Sequence, residues 1–222
     1  MLSLLSLLET RVLGVLAEKE RTVPDTYPLT LNALVAGCNQ KTSRDPVINA
    51  TETEVQAAVD NLKAMTLVIE SSGNRVARYT HNIERVLQLP TQASALLAVL
   101  MLRGPQTAGE LRINCERLHR FADISAVEGV LRELAERPAG ALAVELLRLS
   151  GTRENRWAHL LSGPPATQDV ALTTPNPAVE AGAVAVTELA AVKANVSRLQ
   201  TEVGELKALL ARVCSELGIR NL

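Results

Sequence analysis

One pattern occurs twice in this chain, and an internal repeat constrains a fold more tightly than any single motif. Thr30-Leu31-Asn32-Ala33-Leu34 followed by Cys38 returns, 77 residues on, as Thr107-Ala108-Gly109-Glu110-Leu111 followed by Cys115. Val55, Ala58, Val59 and Leu62 return as Val127, Val130, Leu131 and Leu134, and Ser72-Gly73-Asn74-Arg75 returns as Ser150-Gly151-Thr152-Arg153. Apolar spacing and turn residues give each copy the same order of elements: helix, helix, helix, strand, glycine turn, strand. That is the order of a winged helix. The chain is therefore expected to be mainly α with small β-hairpin wings, an α+β fold of two tandem winged-helix domains at 1–85 and 86–162, each with a small core of its own.

The elements follow from local signals. Leu5, Leu8, Val12, Val15 and Leu16 recur at helical spacing and predict a helix over 4–19. Thr22 to Pro28 reads as a loop. Thr30 caps a second helix running to about Asn39, and Thr51 or Thr53, with Glu54 or Gln56, caps a third that ends near Met65. Leu67–Glu70 and Val76–Thr80 flank the first glycine turn. In the second copy, residues 92–102 form a helix that is apolar on nearly every side, closed by Arg103-Gly104-Pro105. Thr107 caps the next helix, and Ser125-Ala126-Val127-Glu128 has the spacing of a capping box for the third. Val144–Leu149 and Arg156–Leu160 form the second hairpin.

Beyond the repeat the composition changes. Pro164, Pro165, Pro175 and Pro177 among Thr, Ala and Gly make 163–186 a flexible linker. Leu189, Val192, Val196, Leu199, Val203, Leu206, Leu210, Val213 and Leu217 then alternate at spacings of three and four, an a/d seam that predicts a coiled-coil helix over 187–218. Such a helix is marginal in water without a partner. It either pairs two copies of the chain or folds back on its own domains.

Charge and cysteines narrow the function classes. The formal net charge is -1, and residues 1–85 and 86–162 are each close to neutral, so no domain has the basic excess usual in nucleic-acid binders. Cys38, Cys115 and Cys214 stand far apart with no metal-ligand spacing, as in a reducing compartment. Cys38 and Cys115 fall on apolar helix faces and read as small buried hydrophobes. No apolar run is long enough to span a bilayer, and the N-terminus lacks the basic region and cleavage site of a signal peptide. A cytoplasmic protein without membrane contact is expected.

Little points to catalysis. His81, His119 and His159 are scattered and read as solvated or wing-edge residues, and Glu18 and Glu20 as solvated charge at a helix end. No catalytic residue, metal site or cofactor is expected. The cations near loops and wings are the better candidates, because arginine suits phosphate contact. They are Lys41 and Arg44 before the first copy's third helix, Arg75 and Arg78 in its wing, and Arg153 and Arg156 in the second wing. Arg117 and Arg120 precede the second copy's third helix. Against DNA contact stand the third helices themselves, which carry Glu52, Glu54 and Asp60, then Glu128, Glu133 and Glu136, with few cations. The turn before the first of them is also longer than a helix-turn-helix needs.

The segment Cys38-Asn39-Gln40-Lys41-Thr42-Ser43-Arg44-Asp45-Pro46-Val47 is richer in polar side chains than a turn requires. Either Asn39 and Gln40 belong to an interaction surface with Lys41 and Arg44, or Asn39 and Asp45 satisfy loop backbone while Arg44 pins the loop through a carboxylate. This segment, together with Glu9-x-Arg11-Val12-Leu13-Gly14, Tyr27-Pro28-Leu29-Thr30-x-Asn32, Leu102-Arg103-Gly104-x-Gln106-Thr107-x-Gly109-Glu110-Leu111-Arg112 and Gly151-x-Arg153-Glu154-x-Arg156-Trp157-x-His159, resembles the YceH family of bacterial proteins over roughly residues 5–162. The resemblance implies a tandem winged-helix fold and supplies no ligand or catalytic residue. Two functions remain in view. One is a regulatory DNA-binding homodimer, joined through its winged-helix domains or its tail. The other is a protein-interaction module, by analogy with winged-helix proteins that serve chromosome-condensation complexes.

Overall fold

The computed structural model describes residues 4–71, 76–148 and 154–165, all within one compact unit, Met1–Leu172. The first copy comprises α1 (Leu7–Thr22), a 3-10 turn (Pro24–Thr26), α2 (Leu31–Cys38), α3 (Glu52–Ala64), β1 (Val68–Ser71) and β2 (Arg78–His81). A short helix, α4 (Ile83–Leu87), leads to the second: α5 (Thr91–Arg103), α6 (Ala108–Cys115), α7 (Ile124–Ala135), β3 (Ala143–Leu146) and β4 (Arg156–His159). The fold is mainly helical α+β, as the sequence suggests. The linker from residue 166 onward, the coiled-coil segment, and both glycine turns with Gly73, Arg75, Gly151 and Arg153 lie outside the described residues. Among the described residues, no helix is long and apolar enough to cross a membrane.

The strands flanking both turns pair antiparallel, Val68 opposite His81 and Ser71 opposite Arg78, then Ala143 opposite His159 and Leu146 opposite Arg156. Each hairpin also has a third partner that apolar periodicity does not reveal. Leu29 bridges Tyr79, and Gln106 bridges Trp157. Both N–H groups of each pair donate to the opposite carbonyl, at 2.8 and 3.1 Å in the first copy and 2.7 and 3.1 Å in the second. The repeat thus extends to single backbone hydrogen bonds: each copy runs helix, bridging strand, helix, helix, hairpin.

Helix starts follow side-chain capping. Ser6 and Glu9 form a capping box on α1, Thr51 and Glu54 on α3, and Thr107 and Glu110 on α6, while the Thr30 hydroxyl accepts from the Ala33 N–H. One expected cap is corrected. Ser125 does not start α7; the Asp123 carboxylate accepts from the Ala126 N–H at 2.8 Å, and the helix begins at Ile124. A carboxylate satisfies the same orphan donors and also meets the positive end of the helix dipole.

The two copies do not close separate cores. Their buried apolar residues form one continuous cluster from Leu5 to Leu161. The cause is α5, in which every residue from Ala93 to Leu102 is buried. A helix apolar all round must be surrounded, and α5 packs on α1 from one side and on α6, α7 and β4 from the other. Gly14 marks the close approach: a Cβ there would lie 3.0 Å from Leu102 Cγ and 3.3 Å from Met101 Cβ. Gly14→Val should therefore cost about 1–3 kcal/mol by overpacking. Urea unfolding followed by circular dichroism should show one transition for both copies, shifted as a whole. Two separable transitions would contradict a shared core.

Candidate functional site

The segment between α2 and α3 is built around two buried guanidinium groups. Arg44 is 6% exposed, and each of its five N–H donors has an acceptor. Nε donates to Gly37 O at 3.1 Å, Nη1 to Glu18 Oε1 at 3.2 Å and Ser43 O at 2.8 Å, and Nη2 to Glu18 Oε2 at 2.7 Å and Gln40 Oε1 at 2.6 Å. The fork geometry of arginine matches a carboxylate in this way and a lysine would not. Arg11 enters from α1 and is fully buried. Its Nη1 donates to Cys38 O at 3.1 Å and its Nη2 to Pro46 O at 2.7 Å. Asn39 pairs with both backbone groups of Ala50, at 2.8 Å each. The long polar turn thus satisfies its own backbone through side chains, because buried carbonyls and N–H groups need partners. Arg44 takes the loop-pinning role, as placed has no donor left for a phosphate, and engages Gln40. Lys41 is exposed on the same turn.

Glu18 was expected to be solvated and is not. Its side chain is 16% exposed and bidentate to Arg44. Burial alone would raise its pKa, but the Arg44 hydrogen bonds and charge, with Lys19, outweigh that and hold it below the ordinary 4.5. Glu9 behaves alike: burial opposes, and the Ser6 N–H, the Asn61 amide and the Ser6 hydroxyl together lower it. The Arg11 position carries a signal in the sequence, since it falls between Leu8 and Val15 on the apolar stripe of α1. Buried arginine is rare unless its donors are used; the loop supplies acceptors for both Nη groups, while the buried Nε has no partner.

The two hairpin arginines occupy equivalent places. Arg78 Nη1 donates to Pro28 O at 2.8 Å and Thr26 O at 3.3 Å, and Arg156 Nη2 donates to Pro105 O. Each ties its hairpin to the residue before the bridging strand. Two of the described candidates come together: Arg44 and Arg156 line one pocket of about 340 Å³ with Arg103, while Arg78 sits at the turn end of the first hairpin and Lys41 is exposed on the α2–α3 turn.

His81 and His159 are the last residues of β2 and β4, at the edges of the two hairpins. The His81 side chain is 6% exposed, with Nε2 2.9 Å from Glu20 Oε2, and His119 packs edge-on to Phe121 with centroids 4.7 Å apart. His159 is half-buried with no partner at Nδ1, and burial pushes its pKa down to about 4. Cys38 and Cys115 are buried, and burial pushes both thiols up to about 12. Thiolate chemistry needs a lowered pKa, so these are packing residues. Among the described residues, no cluster of three or more His, Cys, Asp or Glu is placed to hold a metal.

What the structure does present is a cleft of about 740 Å³ between α7 and the second hairpin. Trp157, Ile124, Leu147 and Ala108 give it apolar surface, and Glu128, Glu145 and Glu154 stand around it with Arg148 and Asn155. Ile124 is 45% and Leu147 46% exposed. The acidic character could have been read from the sequence. The cleft itself depends on hairpin and helix coming together.

The described residues thus form a duplicated helix–helix–helix–hairpin unit in which an arginine ties each hairpin to the chain before its bridging strand. The chain belongs to the family described as "Protein of unknown function, DUF480", whose model matches residues 5–152. It is 61% identical over 212 residues to a UPF0502 protein of Dechloromonas aromatica, covering 93% of this chain and 94% of the relative. It is 59% identical over 218 residues to the UPF0502 protein Mpe_A1449 of Methylibium petroleiphilum, covering 98% and 92%. A UPF0502 protein of Paraburkholderia phytofirmans is 55% identical over 215 residues. The bacterial family expected from the motifs is thus consistent with the relatives found.

The Glu18–Arg44 pair has a pH signature. A carboxylate whose folded pKa is depressed stabilises the fold fully above its unfolded value, and that stabilisation is lost as pH falls through the folded one. Stability should hold at neutral pH and decline as pH drops below 4.5. Glu18→Gln should be less stable at pH 7 and decline less steeply in acid, as read by urea midpoints across pH. Equal slopes would exclude Glu18 from the transition.

Proposed function

We propose that this chain is a protein-binding module built from two winged-helix units, with a binding rather than a catalytic role. The observation that supports it most is the chemistry of the third helices. A winged helix that reads DNA lays this helix in the major groove, where carboxylates face phosphates and are repelled. The exposed surface of α3 carries Glu52, Glu54 and Asp60, and that of α7 carries Glu133 and Glu136, with Glu128 half-exposed and tied to Arg132 at 3.1 Å. Among the described loop and hairpin candidates, Arg44 is engaged by Glu18 and by carbonyls, and Arg78 and Arg156 by carbonyls. An acidic, partly apolar face suits a protein partner better than a polyanion.

Regulatory DNA binding is the second reading. Exposed Lys41, and Arg112, Arg117 and Arg120 around the turn between α6 and α7, favour it. Arg120 is already paired with Glu116 at 3.4 Å. The heptad pattern supports a homodimer joined by the tail in either case.

Two measurements test this. Genomic DNA fragments at low salt should not be retained by the purified chain. A retention that weakens steeply with added salt would mark phosphate contacts and reverse the choice. Light scattering should find the full chain dimeric and a chain ending after residue 165 monomeric; an unchanged mass would remove the tail from assembly.

A further inference from the structure

The duplication supplies an internal comparison for the cleft. In the first copy Glu70 lies across the hairpin from Tyr79, and in the second Glu145 lies across from Trp157. Lys63 of α3 pairs with Glu70, and the Tyr79 hydroxyl donates to Gln56 at 3.3 Å. Helix and hairpin are thus joined by their own side chains. The helix register that aligns Val55, Val59 and Leu62 with Val127, Leu131 and Leu134 places Ala135 where Lys63 stands. Glu145 receives one hydrogen bond, from the Asn155 amide at 2.9 Å, and no cation among the described residues pairs with it. The position of Leu31 is Ala108 and that of Asn32 is Gly109, both smaller. Each change leaves a smaller side chain in the second copy than the first has at the same place.

The open cleft has two unmet requirements. Ile124 and Leu147 are about half exposed beside the indole of Trp157, so apolar surface stays in water at a cost. Glu128, Glu145 and Glu154 give its described lining three carboxylates against the one cation Arg148, so the edge is net acidic. One kind of occupant meets both: an aliphatic side chain next to an ammonium or guanidinium. Nucleic acid meets neither.

We propose that this cleft docks a basic, aliphatic segment of a partner protein. The segment sets an aliphatic side chain on Trp157, Ile124 and Leu147 and gives Glu145 and Glu154 the positive charge that Lys63 gives Glu70 from within. This rests on the protein-binding reading and names the partner's chemistry and its seat.

Trp157 is the one tryptophan of the 222 residues, so its emission reports on the cleft. The full chain is titrated with a short peptide of alternating leucine and lysine, with a leucine–glutamate peptide for comparison. The lysine peptide should shift the emission saturably and the glutamate peptide should not. Ala135→Lys rebuilds the pairing that the first copy already folds with, and should weaken binding about tenfold or more while leaving the circular dichroism unchanged. Glu145→Gln should weaken it comparably and checks the same point without a new side chain in α7. No shift with the lysine peptide, or an affinity in both variants equal to that of the unaltered chain, overturns the cleft proposal without touching the protein-binding reading. Duplex DNA that shifts Trp157 emission at low salt overturns both the cleft and the protein-binding reading.

Discussion

The packing of α1 on α5 is the contact on which the rest of the molecule depends. Gly14 lets the two helices meet so closely that Leu102 and Met101 fill the space a side chain would take. Both helices are the first of their copies, so each carries its own α2 or α6, third helix and hairpin outward from this seam. Helix interiors tolerate glycine poorly. Here the tight approach, and the burial of apolar area it allows, offsets that cost. A second close approach, Gly37 against Val15 Cγ1, seats α2 on the same helix.

Much of this was legible in the sequence because local chemistry decides it. Thr30 and Thr107 cap their helices as their positions indicate, Cys38 and Cys115 are both buried, and the residues around 92–102 that looked apolar on every side are buried on every side. The failures share a physical cause, which is that their partners lie far away in the chain. Leu29 and Gln106 each act as a one-residue strand, too short for periodicity to register, and only the hairpin opposite defines them. Glu18 looked solvated because Arg44 is 26 residues away. Asp123 outcompeted the Ser125 box because two good caps stood two residues apart and only tertiary packing chooses between them. The cleft needed both errors avoided and a helix brought to a hairpin besides.

The two copies show how one backbone plan holds different chemistry. The first uses its long turn to bury Arg11 and Arg44 against carbonyls and a carboxylate, which fixes α1, α2 and the turn together. The second has a shorter turn between α6 and α7 and, among the described residues, no such pair of buried guanidiniums. Both copies keep an arginine at the turn end of the hairpin ladder, bound to the carbonyl of Pro28 or Pro105. What is conserved between them is therefore the attachment of the hairpin. What differs is the polarity of the helix face beside it.

The burial of α5 on all its sides has a consequence for the history of the chain. Once a duplicated segment has handed its first helix to its neighbour as a wall, each half becomes the other's solvent shield. A fragment carrying only the earlier half would lay bare the α1 surface around Gly14, and one carrying only the later half would lay bare the apolar side of α5 that faces α1. The duplication is thereby made irreversible: descendants can reshape either hairpin or either turn, but they inherit the pair or nothing.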